Sequence, residues 1–354
     1  MTFLYILLAL FVFGLLVMIH ELGHYLCARA FGVGIHEFSI GMGPKIFSKK
    51  GKKYDTDYSI RALPIGGYVS MVGEDEESDS PEAFGNKKVW QRILIVIAGP
   101  LMNILLGFLL MTLLVLISGN LASNTVGEFV NTEKTETTEE FHATSPSYGL
   151  QAGDQIIKVG HTSVHTGNEV VYEIMNQGDK PIDLTVKRNG EKIVLEGVVF
   201  PGMTTEGVNF GTPDFRVYAE KRTFGNIVKH SFFRSLSTVK MIVDQIKDLV
   251  RGRYGFKAVS GPIGITKELG NAAKSGFSTF LYLVTVISVN LGVFNILPIP
   301  ALDGGRLLFL LVAAVTRKPV NKNIEGYIHF AGLLIFFGII ILVTCKDIAG
   351  LFRR

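Results

Sequence analysis

The chain has 354 residues, 48% hydrophobic and 19% charged, with a mean hydropathy of +0.35. Soluble domains carry about 25% charged residues, so this chain is too apolar for one water-soluble core and too apolar for disorder. A net charge of +4 excludes the basic footprint of a nucleic-acid binder. The two cysteines, Cys27 and Cys345, exclude a disulfide framework or a CxxC metal site.

Residues 1–30 form the first predicted span. Residues 2–19 hold no charge and run directly into His20-Glu21-Leu22-Gly23-His24. The stretch lacks the basic start and small-residue cleavage site of a signal peptide. On a helix, positions i and i+4 share a face, so His20 and His24 can hold one metal ion. Glu21 lies beside that face, placed as a general base in the HExxH pattern of zinc hydrolases. Ionisable groups at the end of an apolar helix are functional by default.

Residues 31–92 form a loop rich in lysine (Lys45, Lys49, Lys50, Lys52, Lys53, Lys87, Lys88), with Arg92 at its end. Within it Ser59–Met71 is strand-like, and Gly66-Gly67 allows close backbone approach. Residues 93–118 are the second span. Pro100 sets a kink. Asn103 either hydrogen-bonds a neighbouring helix or shapes the active-site cavity, and structural support is the favoured reading.

A long polar-to-mixed segment follows. Residues 131–140 read as a loop, GEFV at 127–130 as an early strand, and Gln155–Val159 as a strand after a Gly-Asp turn. Residues 168–176 have helical spacing. Leu184–Lys187 and Ile193–Leu195 flank Asn189-Gly190, a strong hairpin signal. Together they resemble a PDZ domain at 125–202. Residues 203–274 read as a helical region. Within it Val228, Phe232, Leu236, Val239, Val243, Ile246 and Val250 recur at steps of three or four, an amphipathic helix. Such a helix lies at the membrane interface, packs under the PDZ-like domain, or presents an ordinary soluble face.

Residues 275–305 are the third span, closing in Asn295-Ile296-Leu297-Pro298-Ile299-Pro300-Ala301-Leu302-Asp303. Pro298 and Pro300 cannot continue a regular helix. Irregular backbone at membrane depth is tolerated only against protein or a water cavity, so this segment should line a wet pocket. Residues 306–326 read as a loop, in which the apolar run Leu307–Val315 extends the span or turns back. Residues 327–345 are the fourth span, with His329 inside it.

The basic loops 31–92 and 306–326 are cytoplasmic by the positive-inside rule. Both termini and residues 119–274 then lie outside. Zinc needs a third protein ligand and an open position. His142, His161, His165 and His230 fall on the wrong side, and His36 is in a loop. Asp303, at the edge of an uncharged run, requires a partner and is the best candidate.

HELGH and NILPIPALDG resemble the site-2 protease family of intramembrane zinc metalloproteases. So do AGPLMN (98–103), GGYV (66–69) and SGPIGI (260–265). The single PDZ-like insert points to the bacterial branch of Gram-positive type. The resemblance implies a polytopic α-helical membrane protein with four transmembrane helices, a membrane-associated β-loop within 31–92 and an inserted extracytoplasmic PDZ-like α/β domain. It implies a bacterial plasma membrane location, zinc held by His20, His24 and Asp303, and Asn295 near bound substrate. The implied substrates are single-span membrane proteins in the lipid bilayer, such as anti-sigma factors after a first external cut or remnant signal peptides.

Cutting inside a helix requires unwinding, and an exposed strand can satisfy the freed backbone. Ile65, Gly66, Gly67, Tyr68, Val69 and Ser70 are expected to clamp the substrate in this way. The PDZ-like domain either excludes bulky ectodomains or captures a new C-terminus. Two other classes of function compete with this one. A membrane-anchored protease of soluble or misfolded chains at the cytoplasmic face would not need Asp303. A PDZ scaffold or metal carrier would not need Glu21.

Overall fold

The computed structural model describes residues 2–51, 55–74, 78–131, 142–205, 208–253, 260–318 and 320–352. In chain order its elements are α1 (Thr2–Ala30), β1 (Ile35–Lys50), β2 (Asp57–Met71), α2 (Val89–Ile117), β3 (Leu121–Phe129), β4 (Gln155–Val159), β5 (Thr162–Ser163), α3 (Gly167–Gln177), β6 (Ile182–Arg188), β7 (Glu191–Val198), β8 (Gly202–Thr205), β9 (Val208–Gly211), β10 (Phe215–Glu220), α4 (Phe224–Val250), α5 (Pro262–Ser275), α6 (Phe277–Ile296), α7 (Asp303–Thr316) and α8 (Lys322–Phe352). Contacts divide the chain into two units, Met1–Leu110 with Val259–Arg354, and Met111–Ala258.

Among the described residues, four helices are long and apolar enough to cross a membrane: Phe3–Ala30, Val89–Ile117, Phe277–Ile296 and Asn323–Gly350. In the first unit, helices meet through small residues. A Cβ on Gly107 would enter the Val289 side chain, and one on Gly292 would lie 2.7 Å from the Pro100 carbonyl oxygen. Glycines at such crossings let backbones approach closely. Leu16, Leu269 and Val284 pack together behind them. The N-terminus of α5 is capped from α8, where Asp347 Oδ2 accepts the N–H groups of Gly261 (3.0 Å) and Gly264 (2.9 Å).

The 31–92 segment folds as a sheet of its own. Gly41 and Gly43, both at φ +84, bend β1 into two halves. The second half pairs with β2 from Lys45 opposite Arg61 to Lys50 opposite Asp57. The first half lies between two stretches of β2, with Glu37 opposite both Asp57 and Ser70, and Ile40 opposite both Ile60 and Gly67. The stretch 67–71 is therefore an outer edge of this sheet. Lys52 and Lys53 lie outside the described residues.

The third span breaks at the Pro298–Pro300 segment, where the sequence predicts irregular backbone. Helix α6 stops at Ile296, Leu297 turns extended, and a new helix starts at Asp303. The two prolines supply no N–H to continue the ladder. The expected loop 306–326 is helical through Thr316, so Leu307–Val315 belongs to α7.

The second unit holds a sheet of order β10-β3-β4-β6-β7, with β5 on β4. Its core gathers Val126, Ile156, Val170, Ile174, Leu184 and Phe200. Asn189 (φ +51) and Gly190 (φ +95) form the tight turn between β6 and β7, a left-handed geometry these residue types favour. Thr166 and Glu169 close a capping box on α3.

One expectation for the segment after β7 changes. The region 203–274 is not helical throughout, because Phe215 is buried in the core and draws β10 onto β3. Helix α4 forms as predicted; its buried strip is His230, Ser231, Ser235, Thr238 and Ile242, and Val228, Phe232 and Leu236 stay exposed. Polar contacts hold the buried strip in place. Lys240 bridges Glu173 and Asp244, at 2.8 Å each, and His230 meets Glu220 at 3.3 Å. Burial pushes the His230 imidazole below its usual range, against the pull of Glu220. Of the polar stretch 131–140, only Asn131 falls among the described residues.

Candidate metal centre

Helix α1 carries His20 and His24 one turn apart, 8% and 7% exposed, with their Nε2 atoms 3.2 Å apart. Asp303, the first residue of α7, places Oδ2 at 2.9 Å from His20 Nε2 and 3.4 Å from His24 Nε2. Possible ligand atoms from the three residues lie within 4.8 Å of one another, the one such convergence among the described residues.

Local sequence explains each placement. Gly23 faces the Ala98 carbonyl and Gly99 faces the His24 ring so closely that a Cβ at either would collide. The α1–α2 crossing is therefore tight where the histidines sit. Behind Asp303, a Cβ on Gly304 would strike the carbonyls of Ile296 and Leu297, and one on Gly305 would lie 2.7 Å from the Ile299 carbonyl oxygen. The sequence Asp-Gly-Gly lets α7 start against the end of the preceding turn.

The residues fit a metal. His24 Nδ1 lies 2.8 Å from the Ile95 carbonyl. A carbonyl only accepts, so Nδ1 carries the proton and Nε2 presents a lone pair. Asn103, fully buried, has its amide 3.3 Å from His20 Nδ1. With the amide oxygen turned toward a protonated Nδ1, both histidines present Nε2 lone pairs at the same point as a carboxylate oxygen. Asp303 Oδ2 is buried without a well-directed hydrogen bond, and Asn103 Oδ1 is likewise unsatisfied. Converging lone pairs without protons repel, and a cation resolves them. Two imidazoles and a carboxylate with an open fourth position suit zinc.

Glu21 sits next to this group. Its Oε2 accepts the Val69 N–H at 3.1 Å, so the outer edge of the sheet runs past the carboxylate. A Cβ on Gly67 would lie 3.8 Å from Glu21 Cγ. Gly66 takes φ +75. The Tyr68 hydroxyl turns away, donating to Glu37 Oε2 at 2.7 Å. Ile65 lies on β2, with its side chain outside the described set. Asn295 donates to the Leu291 carbonyl of its own helix at 2.9 Å and is not among the gathered groups.

A model of peptidase family M50 matches residues 8–339. The chain belongs to peptidase family M50. This is the site-2 protease family, and the chain is a zinc-dependent membrane metalloprotease. An inferred zinc metalloprotease of Clostridium acetobutylicum is 37% identical over 350 residues, covering 98% of each chain. The regulator of sigma-W protease RasP of Bacillus subtilis is 30% identical, over 96% of this chain and 97% of its own. The zinc metalloprotease RasP of Geobacillus kaustophilus is 30% identical over 96% and 97%. The two RasP alignments run to 426 and 420 positions, against a chain of 354 residues, so these relatives hold segments this M50 chain lacks.

Sequence reasoning found the three converging residues and Glu21. It did not pair Asn103 with His20, and it gave His329 no role. His329, on α8, lies against the turn before Asp303, with Nδ1 3.0 Å from the Ala301 nitrogen. Its one sequence signal was an imidazole inside an apolar span. Arg306, one turn beyond Asp303, pairs with Glu74 at the end of the β-sheet segment. That link joins the Asp303 helix to the sheet edge.

Proposed function

We propose that this M50 metalloprotease cuts the transmembrane segments of single-span membrane proteins, with His20, His24 and Asp303 holding zinc and Glu21 as general base. The observation that carries the reading is the Val69 N–H bonded to Glu21, which brings the outer strand edge to the reacting position. Zinc held by His20, His24 and Asp303 would supply Lewis acidity toward the scissile carbonyl and the attacking water. Glu21 is placed to take a proton from the attacking water and to deliver it to the leaving amine. The edge 65–70 receives the unwound substrate as an added strand, giving its backbone groups partners that lipid cannot. Gly67 lets the edge strand approach the Ser39 carbonyl of β1, where a Cβ would lie 2.6 Å away.

The active site faces the cytoplasmic side of the bacterial plasma membrane, in keeping with the basic loops, and the second unit lies outside as a PDZ-like gate. Strand β3 has β10 on one side and β4 on the other, which favours a size filter over strand-addition capture of a substrate C-terminus. Regulatory substrates such as anti-sigma factors, trimmed by a first external cut, fit such a filter, and remnant signal peptides fit equally. The sigma-W regulator among the relatives supports the first class. An M50 enzyme acting on soluble chains at the membrane surface is disfavoured by Asp303, which follows an apolar span.

The test is Glu21→Gln in the purified full chain, assayed on a transmembrane peptide with bound zinc measured in parallel. Loss of cleavage with zinc retained supports the reading. Full activity refutes it, and cleavage of casein at a rate equal to that of the transmembrane peptide refutes the substrate class.

A further inference from the structure

We infer that His329 is a positioning residue that fixes the backbone turn carrying Asp303. The inference rests on the ligand set proposed above and extends it to the fourth span.

Ala301 sits at φ +73, a left-handed conformation that is unfavourable for a residue with a Cβ. Something must hold it there. The Ala301 N–H points at His329 Nδ1, 3.0 Å away. A backbone N–H can only donate, so Nδ1 is the acceptor, the ring is neutral and its proton is on Nε2. That Nε2 is buried with no hydrogen-bond partner. Burying an unsatisfied donor is unfavourable, and a histidine within an apolar span is unfavourable again. The side chain bears both costs while making one bond to one turn.

The surrounding packing has the same focus. Gly332, one turn along α8, lies so close to Pro300 that a Cβ there would collide with its ring, and a Cβ on Gly305 would lie 3.2 Å from His329 Cε1. One face of α8 is therefore shaped to seat Pro300 and Ala301. Asp303 follows two residues later, after Leu302 donates to the Ile299 carbonyl at 3.2 Å. A turn this short transmits any rotation at Ala301 to the carboxylate. His329 thus acts on metal affinity without touching the metal, as partners behind ligands commonly do, with effects of about 10- to 100-fold.

The experiment measures zinc affinity by chelator competition, and the visible spectrum of the cobalt-substituted site, in the purified full chain. His329→Phe keeps an apolar-compatible ring but no acceptor, and should weaken zinc binding about 10- to 100-fold and alter the cobalt bands. His329→Asn places an amide oxygen near Nδ1 and should stay within about threefold of wild type. Ala301→Gly accepts φ +73 at no steric cost, so adding it to His329→Phe should recover most of the loss. If the phenylalanine variant does not fold, this double variant carries the test, and its failure to fold and bind zinc counts against the inference. Unchanged affinity and spectrum in His329→Phe, or equal losses in the phenylalanine and asparagine variants, overturn it. Asp303→Ala is measured alongside. If it leaves zinc affinity unchanged, the ligand assignment has failed; if it abolishes binding while His329→Phe is silent, only the positioning role has failed.

Discussion

The tight crossing of α1 and α2 gives a quantitative prediction for Gly99→Ala. A methyl built on Gly99 would lie 2.6 Å from Cε1 and 2.7 Å from Cδ2 of His24. Carbon atoms rest at about 3.5–4.0 Å, so the imidazole or the helix must yield by about 1 Å. Zinc–ligand distances tolerate about 0.2 Å, and His24 is further held by the Ile95 carbonyl. Forcing a methylene-sized group into a packed site costs about 1–3 kcal/mol. Expressed through metal affinity, that is about a 5- to 150-fold loss. The assay is chelator competition on purified full-length protein in detergent, with turnover of a transmembrane peptide followed in parallel. Gly338→Ala is the control, since a Cβ at Gly338 meets nothing within 4 Å. If Gly99→Ala binds zinc and turns over within twofold of wild type, the close-approach argument is wrong.

Asn103→Leu removes the amide beside His20 Nδ1 and should weaken zinc binding about 10- to 100-fold, read by the same competition assay. Val69→Pro removes the N–H that holds Glu21, so cleavage should fall while zinc stoichiometry remains that of wild type. For the β-sheet segment, burial alone would raise the Glu37 carboxyl, but hydrogen bonds from Ser59, Tyr68, Arg61 and Lys45 outweigh it and hold it down to about 2. A depressed carboxylate contributes stability above its ordinary value near 4.5 and loses it as pH falls through about 2. Glu37→Gln should therefore make residues 35–71 more susceptible to limited proteolysis at pH 7, with the difference from wild type shrinking as pH drops below about 4.5.

The metal group was legible because its signals are local. Two histidines four apart need only helical geometry, and Asp303 stands out against an uncharged background. The spans were legible for the same reason, as was the Asn189-Gly190 turn. Other features depend on which distant segments meet. Nothing near Asn103 reveals that His20 lies opposite, and His329 has no local partner at all, since its partner is a backbone N–H in another element. The prolines marked where α6 ends but not that a helix would restart at Asp303, a restart that depends on Gly304 fitting against the carbonyls before it. Helix α4 had the right periodicity, but which strip turns inward depends on partners in α3 and β10 that lie far away in sequence. Strand β10 was hidden because its place in the sheet depends on Phe215 reaching a core assembled from residues far upstream.

An unpaired strand edge is a hazard for any chain that must stay unaggregated, since it offers N–H and C=O groups to a second copy as readily as to a substrate. Along residues 67–71 that hazard is met by acids rather than by the lysines or prolines common on exposed edges. Glu21 occupies the N–H of Val69, and Glu74 lies 3.4 Å from that of Met71. A neighbouring molecule meeting this edge finds donors already engaged, with carboxylates in front of them. The edge is thereby selective by competition, admitting only a strand held close enough and long enough to displace a charged side chain already in place.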